Sequence, residues 1–172
     1  MRGAGDPSAR RHEGSGGSTH EGTVRRWLEE HGWYAGRDVR DPIAGHLAFR
    51  LRDAERQGFP LTASAAALRF LHTYGLLRLP YPKAPEIALV VRPDVGYEGD
   101  AEDFAELGGN LRRPVLPVGY ETSEGGIVLV DDLGRVFCQH PTGPYFLGHD
   151  AYEAFARRLS GSVLPDAEDF HV

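Results

Sequence analysis

Four groups of residues in this chain have side chains that could do chemistry. Cys138, His140, His149 and Asp150 bring a thiol, two imidazoles and a carboxylate into one stretch. On a strand, residues 138 and 140 share a face, so a thiolate there could sit beside an imidazole base, or both could ligate a metal. The spacing lacks the paired ligands of a closed zinc site, and a free cysteine most often behaves as a small buried hydrophobe, so the structural role is favoured. Asp131 and Asp132 offer two carboxylates for acid–base work. They stand in Asp131-Asp132-Leu133-Gly134, however, a hairpin turn in which an aspartate satisfies nearby backbone groups and the glycine supplies a left-handed conformation. Trp33, Gly36 and Arg37 could form a binding motif. The simpler account has Trp33 packing the first helix, Gly36 allowing a turn and Arg37 pairing with a carboxylate.

The fourth group is acidic: Asp94, Glu98, Asp100, Glu102, Asp103 and Glu106, with no basic residue between Pro93 and Leu111. Residues 23–93 carry 11 basic and 7 acidic side chains, whereas residues 94–132 carry 2 and 10. As a solvated face this needs no function. As an interface it would steer a basic partner and raise its association rate without any catalytic group. Tyr97, Phe104 and Tyr120 lie beside it in sequence and are the candidate anchors.

Other functional classes find little support. No Gly-rich phosphate loop, Gly-x-Ser-x-Gly elbow, His-Glu-x-x-His or Cys-x-x-Cys occurs in the sequence. The net charge of −6 disfavours direct nucleic-acid binding. A single cysteine permits no disulfide framework. The longest apolar run, Ile127–Val130, is strand-sized, and nothing near Met1 resembles a signal peptide. The expectation is a cytoplasmic, non-enzymatic protein without membrane contact, metal or cofactor, its oligomeric state left open.

Elements must position these groups. Residues 1–22 are dominated by Gly, Ser, Arg, Glu and His and are expected to form a disordered tail. Thr23 is the expected cap of a short helix with Val24, Trp27 and Leu28 on one face. Asp41 and Pro42 are expected to open a second helix that Gly58 ends. Thr62 is the expected cap of a third, with Ala67, Phe70, Leu71 and Tyr74 at helical spacing. Leu76–Leu79, Ile87–Val91, Val115–Tyr120, Ile127–Val130 and Arg135–His140 read as strands, with a short helix anchored by Phe104 and Leu107 among them. A last helix carries Tyr152, Phe155, Ala156 and Leu159 and stops at Gly161, before an acidic tail over residues 162–172. This order predicts an α+β fold, a mainly antiparallel sheet flanked by helices, in a single domain over residues 23–161.

Landmarks along this domain follow a recognisable order. Gly32-Trp33 precedes Gly36-Arg37-Asp38-Val39; Gly58-Phe59 and Ala65-Ala66 lead to Phe70-Leu71-His72-Thr73-Tyr74-Gly75-Leu76. Then come Glu106-Leu107-Gly108, Pro117-Val118-Gly119, Val130-Asp131-Asp132-Leu133-Gly134-Arg135-Val136-Phe137, and Gly148 before Glu153-Ala154. In this order the chain resembles the SUKH superfamily of bacterial immunity proteins, specifically its third subfamily. Two departures stand out. The family pattern after the third helix resembles Phe-Gly-Gly-Leu, where this chain has Tyr74-Gly75-Leu76-Leu77, and Phe155 stands where a leucine is expected.

The resemblance implies a SUKH-like fold and a protein that binds and neutralises a cognate toxin of a polymorphic toxin system, encoded next door. Toxins associated with the superfamily are commonly nucleases or nucleic-acid deaminases. It implies structural roles for Gly32, Trp33, Gly36, Arg37, Gly75, Leu76, Pro117, Gly119, Asp131, Gly134 and Arg135. The resemblance does not supply the contact residues; the acidic stretch and its sequence neighbours do, and on that reading toxin contacts would fall on Asp94, Tyr97, Glu98, Asp100, Glu102, Asp103, Phe104 and Glu106. Two alternatives compete with this. One is an intracellular regulatory or scaffold module of the same superfamily. The other is a small thiol enzyme using Cys138, His140 and His149, which requires a depressed thiol pKa.

Overall fold

The computed structural model describes residues 16–123 and 125–172. Helices α1 (Gly16–Glu30), α2 (Arg40–Gln57) and α3 (Ala65–Tyr74) come first. Strands β1 (Arg78–Tyr81) and β2 (Ala84–Val90) follow, then α4 (Asp100–Leu111). Strands β3 (Val115–Glu121), β4 (Ile127–Asp131), β5 (Val136–His140) and β6 (Gly143–Gly148) come next. Helix α5 (Ala151–Ser160) and a 3₁₀ turn (Ala167–Phe170) close the described chain. The six strands form one antiparallel sheet in sequence order, β1-β2-β3-β4-β5-β6. The fold is α+β, as the order of elements requires.

Both faces of this sheet are covered, which explains its strand sequences. Leu116, Val118, Val128, Val130, Val136, Cys138 and Leu147 point to a core shared with α1, α2, α3 and α5. Val115, Ile127, Leu129, Phe137 and Phe146 point the other way, to α4 and the 3₁₀ turn. Strands buried on both sides read as continuous apolar runs rather than alternating ones, and Ile127-Val128-Leu129-Val130 is such a run. A bulge between Pro117 and Gly119 shifts the β3 register. Beyond it Tyr120 packs with the α4 core, while Glu121 reaches Arg158 of α5 on the opposite face.

Aromatic rings knit the first core. Phe155 of α5 meets Trp27, Phe70 and Tyr74 with ring centroids 5.7, 6.0 and 5.1 Å away. Phe155 thus ties α1 and α3 to the closing helix. Trp27 anchors α1 further by donating its indole N–H to the Pro80 carbonyl at 2.8 Å.

Several boundaries differ from the sequence expectation. Helix α1 starts at Gly16 rather than after Thr23, and residues 1–15 of the expected tail lie outside the described residues. Helix α2 starts at Arg40, and the side chain that accepts its first N–H is Asp38, not Asp41; Val39 at the N-cap position makes no side-chain hydrogen bond. The cap of α3 is Ser64, not Thr62, and its hydroxyl accepts the Ala67 N–H. Strand β6 was not expected at all. Within residues 162–172 the chain is anchored at a few points: Phe170 stacks on Phe146 at 4.1 Å, Phe146 donates its N–H to Pro165, and Val172 donates to Asn110.

Candidate functional site

The acidic stretch folds into a loop, residues 94–99, and the first turns of α4. Carboxylates at the start of a helix are favoured by its N–H groups, so three acids in the first turn of α4 have a local reason to be there. Burial then divides the group. Asp100 is only 1% exposed and Phe104 fully buried in the α4 core, so neither can be offered to a partner. For these two the sequence expectation of contact residues is corrected. Asp94 is half-buried and occupied, accepting from Arg92 Nε and Nη2 at 3.1 and 3.0 Å and lying 2.8 Å from His46 Nδ1. Burial alone would raise its pKa, but these partners hold it below the usual carboxylate range. Tyr120 is half-buried against the α4 core and does not stand free as an anchor.

What remains on the surface is Tyr97, Glu98, Glu102, Asp103 and Glu106. Tyr97 is 41% exposed, with its ring edge toward Phe104. Its hydroxyl donates to Asp103 at 2.7 Å, and partial burial with that carboxylate raises its pKa. Glu102 and Glu106 lie one turn apart on the exposed side of α4. Like charges at that spacing disfavour a helix by a few tenths of a kcal/mol, a cost that the helix N-terminus offsets for Glu102 but not for Glu106. Tyr97 and Asp103 also form one bank of a groove of about 620 Å³, whose other bank is the β5–β6 turn at Pro141, Thr142 and Gly143.

The loop is held from beneath by a buried network that the sequence did not reveal. Arg50 of α2, 2% exposed, donates Nε to Pro93 O at 2.8 Å and Nη2 to Val95 O at 3.1 Å and Asp100 Oδ2 at 2.9 Å. Gln57 donates to Asp100 Oδ1 at 3.0 Å and accepts the Ala101 N–H, and Asp100 Oδ2 also accepts the Tyr97 N–H. These partners are 43–50 residues apart in sequence, so no local pattern signals them.

The structure separates the other chemical candidates. Cys138 and His140 line one cavity of about 360 Å³ with Glu121 and Arg158. His149 lies across the sheet, its ring edge-on to Phe146 at 4.9 Å. Burial first, then the Glu121 carboxylate, pushes the Cys138 thiol up to about 12, opposite to what an activated nucleophile needs. Asp131 is fully buried and spends its oxygens on the N–H groups of Leu133 and Arg135 and on the Arg135 guanidinium at 2.7 Å. Among the described residues no group of three or more His, Cys, Asp or Glu could hold a metal ion. No described helix is long and apolar enough to cross a membrane.

The motif residues sit at joints. Trp33 packs half-buried on the first core. Among the described residues Arg37 has no carboxylate partner, against the expectation from sequence; it donates to the carbonyls of Thr73 and Gly75 at 2.9 and 2.7 Å, capping the end of α3. Gly75 is crowded: a Cβ there would collide with the Leu71 carbonyl and stand 3.1 Å from Ile43 and Val39 side chains. Leu76, where the sequence resemblance predicts a glycine, takes φ 67, a left-handed conformation that glycine adopts without strain. Pro117 and Gly119 flank the β3 bulge, where a Cβ at Gly119 would stand 2.6 Å from Val90 O. Gly32, Gly36 and Gly134 all have positive φ.

Comparison with known proteins gives one match. A family model described as SUKH-3 immunity protein covers residues 20–161, from α1 to the end of α5. No curated protein and no solved structure matches the chain.

Proposed function

The chain belongs to the SUKH-3 immunity protein family, which implies neutralisation of a toxin, and from that premise we propose that it acts by binding its cognate toxin without catalysis. The family match over residues 20–161 carries this reading. The raised Cys138 thiol, the distance of His149 from it and the structural use of Asp131 are all consistent with a protein that binds rather than reacts. The toxin is a basic protein, a nuclease or nucleic-acid deaminase, encoded beside this gene and met in the cytoplasm. The contact surface is the outer face of the 94–99 loop and α4: Tyr97, Glu98, Glu102, Asp103 and Glu106. An acidic surface can occupy a cleft built for phosphate charge. Rim charges chiefly set association rate, with the exposed Tyr97 ring as the anchor.

Co-expression with the toxin-like product of the adjacent gene, followed by co-purification, tests this. Restored growth and a 1:1 complex support it; toxicity that the protein does not relieve counts against it. Reversing Glu102 and Asp103 to lysine should slow association by about tenfold at low salt and flatten its salt dependence. Association unchanged by the reversal and by salt would remove the acidic face from the interface while leaving the binding function open.

A further inference from the structure

We propose that Arg50 and Asp100 are positioning residues for recognition, a buried ion pair whose role is to fix the shape of the 93–99 loop before any partner arrives. The proposal rests on the reading of that loop and α4 as the toxin-facing surface. A buried ion pair is a poor way to gain stability, because desolvating two charges costs about what their attraction returns, and apolar replacements of similar volume are often neutral or better. What such a pair supplies is direction. The Arg50 guanidinium reaches two backbone carbonyls of the incoming loop, Pro93 O and Val95 O, and the Asp100 carboxylate that opens α4. Asp100 in turn accepts the N–H of Tyr97, the residue whose ring the loop exposes. One guanidinium therefore sets both ends of a loop that contributes only Val95 and Tyr97 as sizeable apolar side chains. Gly96 passes so close that a Cβ would collide with both the Asp100 carboxylate and Arg50 Nη2. The loop and the pair leave no room for a side chain at Gly96. A loop pre-shaped in this way loses less conformational freedom on binding.

The test needs one variant that removes both charges and another that leaves them alone. Arg50→Met/Asp100→Leu deletes the pair without orphaning a buried charge; Gly96→Ala displaces the loop with both charges intact; Arg50→Lys keeps the charge but loses the fork. Hydrogen exchange of the purified full chain is read by mass spectrometry alongside its melting temperature. In all three variants, exchange over residues 95–99 should rise by about tenfold or more while α1, α3 and α5 stay protected and melting shifts by only a few degrees. Unchanged exchange in the loop overturns the proposal. So does a uniform rise with a large fall in melting temperature, which is what a merely structural pair would give. The variants are then compared with wild type for association with the purified product of the adjacent gene, where a loss of about tenfold is expected. A loosened loop that binds as fast as wild type overturns the role in recognition. Wild type that fails to bind that product counts against the proposed function instead, and the loop's positioning is then judged by the exchange result.

Discussion

Replacing Gly75 by alanine isolates a steric effect from a conformational one. Gly75 has φ −51 and ψ 143, an ordinary extended conformation for any residue, so alanine meets no backbone strain there. The obstacle is space. The added methyl would overlap the Leu71 carbonyl and press Ile43 and Val39 at 3.1 Å, and a backbone oxygen inside a helix cannot swing aside. Overpacking of this kind costs about 1–3 kcal/mol. If the chain shifts to make room, the charged hydrogen bonds from Arg37 to Thr73 O and Gly75 O lengthen, at a further cost of about 1.5–3 kcal/mol. The stiffer unfolded chain returns about 0.4–1 kcal/mol. The net expectation is a loss of about 1.5–5.5 kcal/mol, or roughly 3–20 °C in melting temperature for a domain of this size. Gly109→Ala is the control. Gly109 lies within α4 with open space where its Cβ would be, so alanine should stabilise by about 0.5–1 kcal/mol. Urea unfolding of both variants at neutral pH measures the pair. If Gly75→Ala unfolds at the same urea concentration as wild type, the close approach of α2, α3 and the Gly75 backbone is not what holds this joint.

Phe104→Ala should cost about 3–5 kcal/mol, because it empties a fully buried site, whereas Tyr97→Ala should cost under about 1 kcal/mol and act on partner binding instead; calorimetry of the free proteins separates them. Cys138 should resist a disulfide-exchange reagent at pH 7 in the native state and react at once in denaturant, since burial and Glu121 hold the thiol up near 12; rapid native labelling would refute that environment. Asp94 has a folded pKa below its usual value of 3.8, so its contribution to stability is present above that pH and is lost as pH falls through the lower folded value. Asp94→Asn should therefore be less stable than wild type at pH 7, with the gap closing as pH drops below about 4 in denaturation curves measured at each pH.

Much of the architecture could be read from sequence because its signals are local. Ala67, Phe70, Leu71 and Tyr74 repeat at helical spacing and form the buried side of α3. The apolar runs of β3, β4 and β5 are strands buried on both faces. Strand β6 was missed because Gly143-Pro144 opens it and Gly148 closes it, leaving a short stretch with no β-branched residue. Ser64 was overlooked as a cap because Thr62, two residues earlier, offers the same hydroxyl. The candidate surface was harder still. Eight neighbouring residues look like one acidic face, but Arg50, far away in sequence, draws Asp100 inward, and the helical period turns Phe104 to the core. Which acids face water is decided by tertiary partners, and those are invisible to charge patterning.

The sheet's sequential order shapes how the molecule assembles. Every strand pairs with the next one along the chain; only the β2–β3 pairing must wait for the longer connection that carries α4, and β1–β2 and β3 to β6 can close as hairpins with little loop-closure entropy. The layers on either side cannot. One face is completed only when α5 brings Phe155 back to Trp27 of α1, the other only when Phe170 reaches Phe146 and Phe137. Both seals come from residues 151–170, which leave the ribosome after every strand has emerged. Until then the growing chain holds a sheet with apolar side chains on both sides and only part of its cover, the state most exposed to wrong partners. Residues 151–170 thus seal both layers at once, so a change that loosens either Phe155 or Phe170 leaves one face of a completed sheet uncovered.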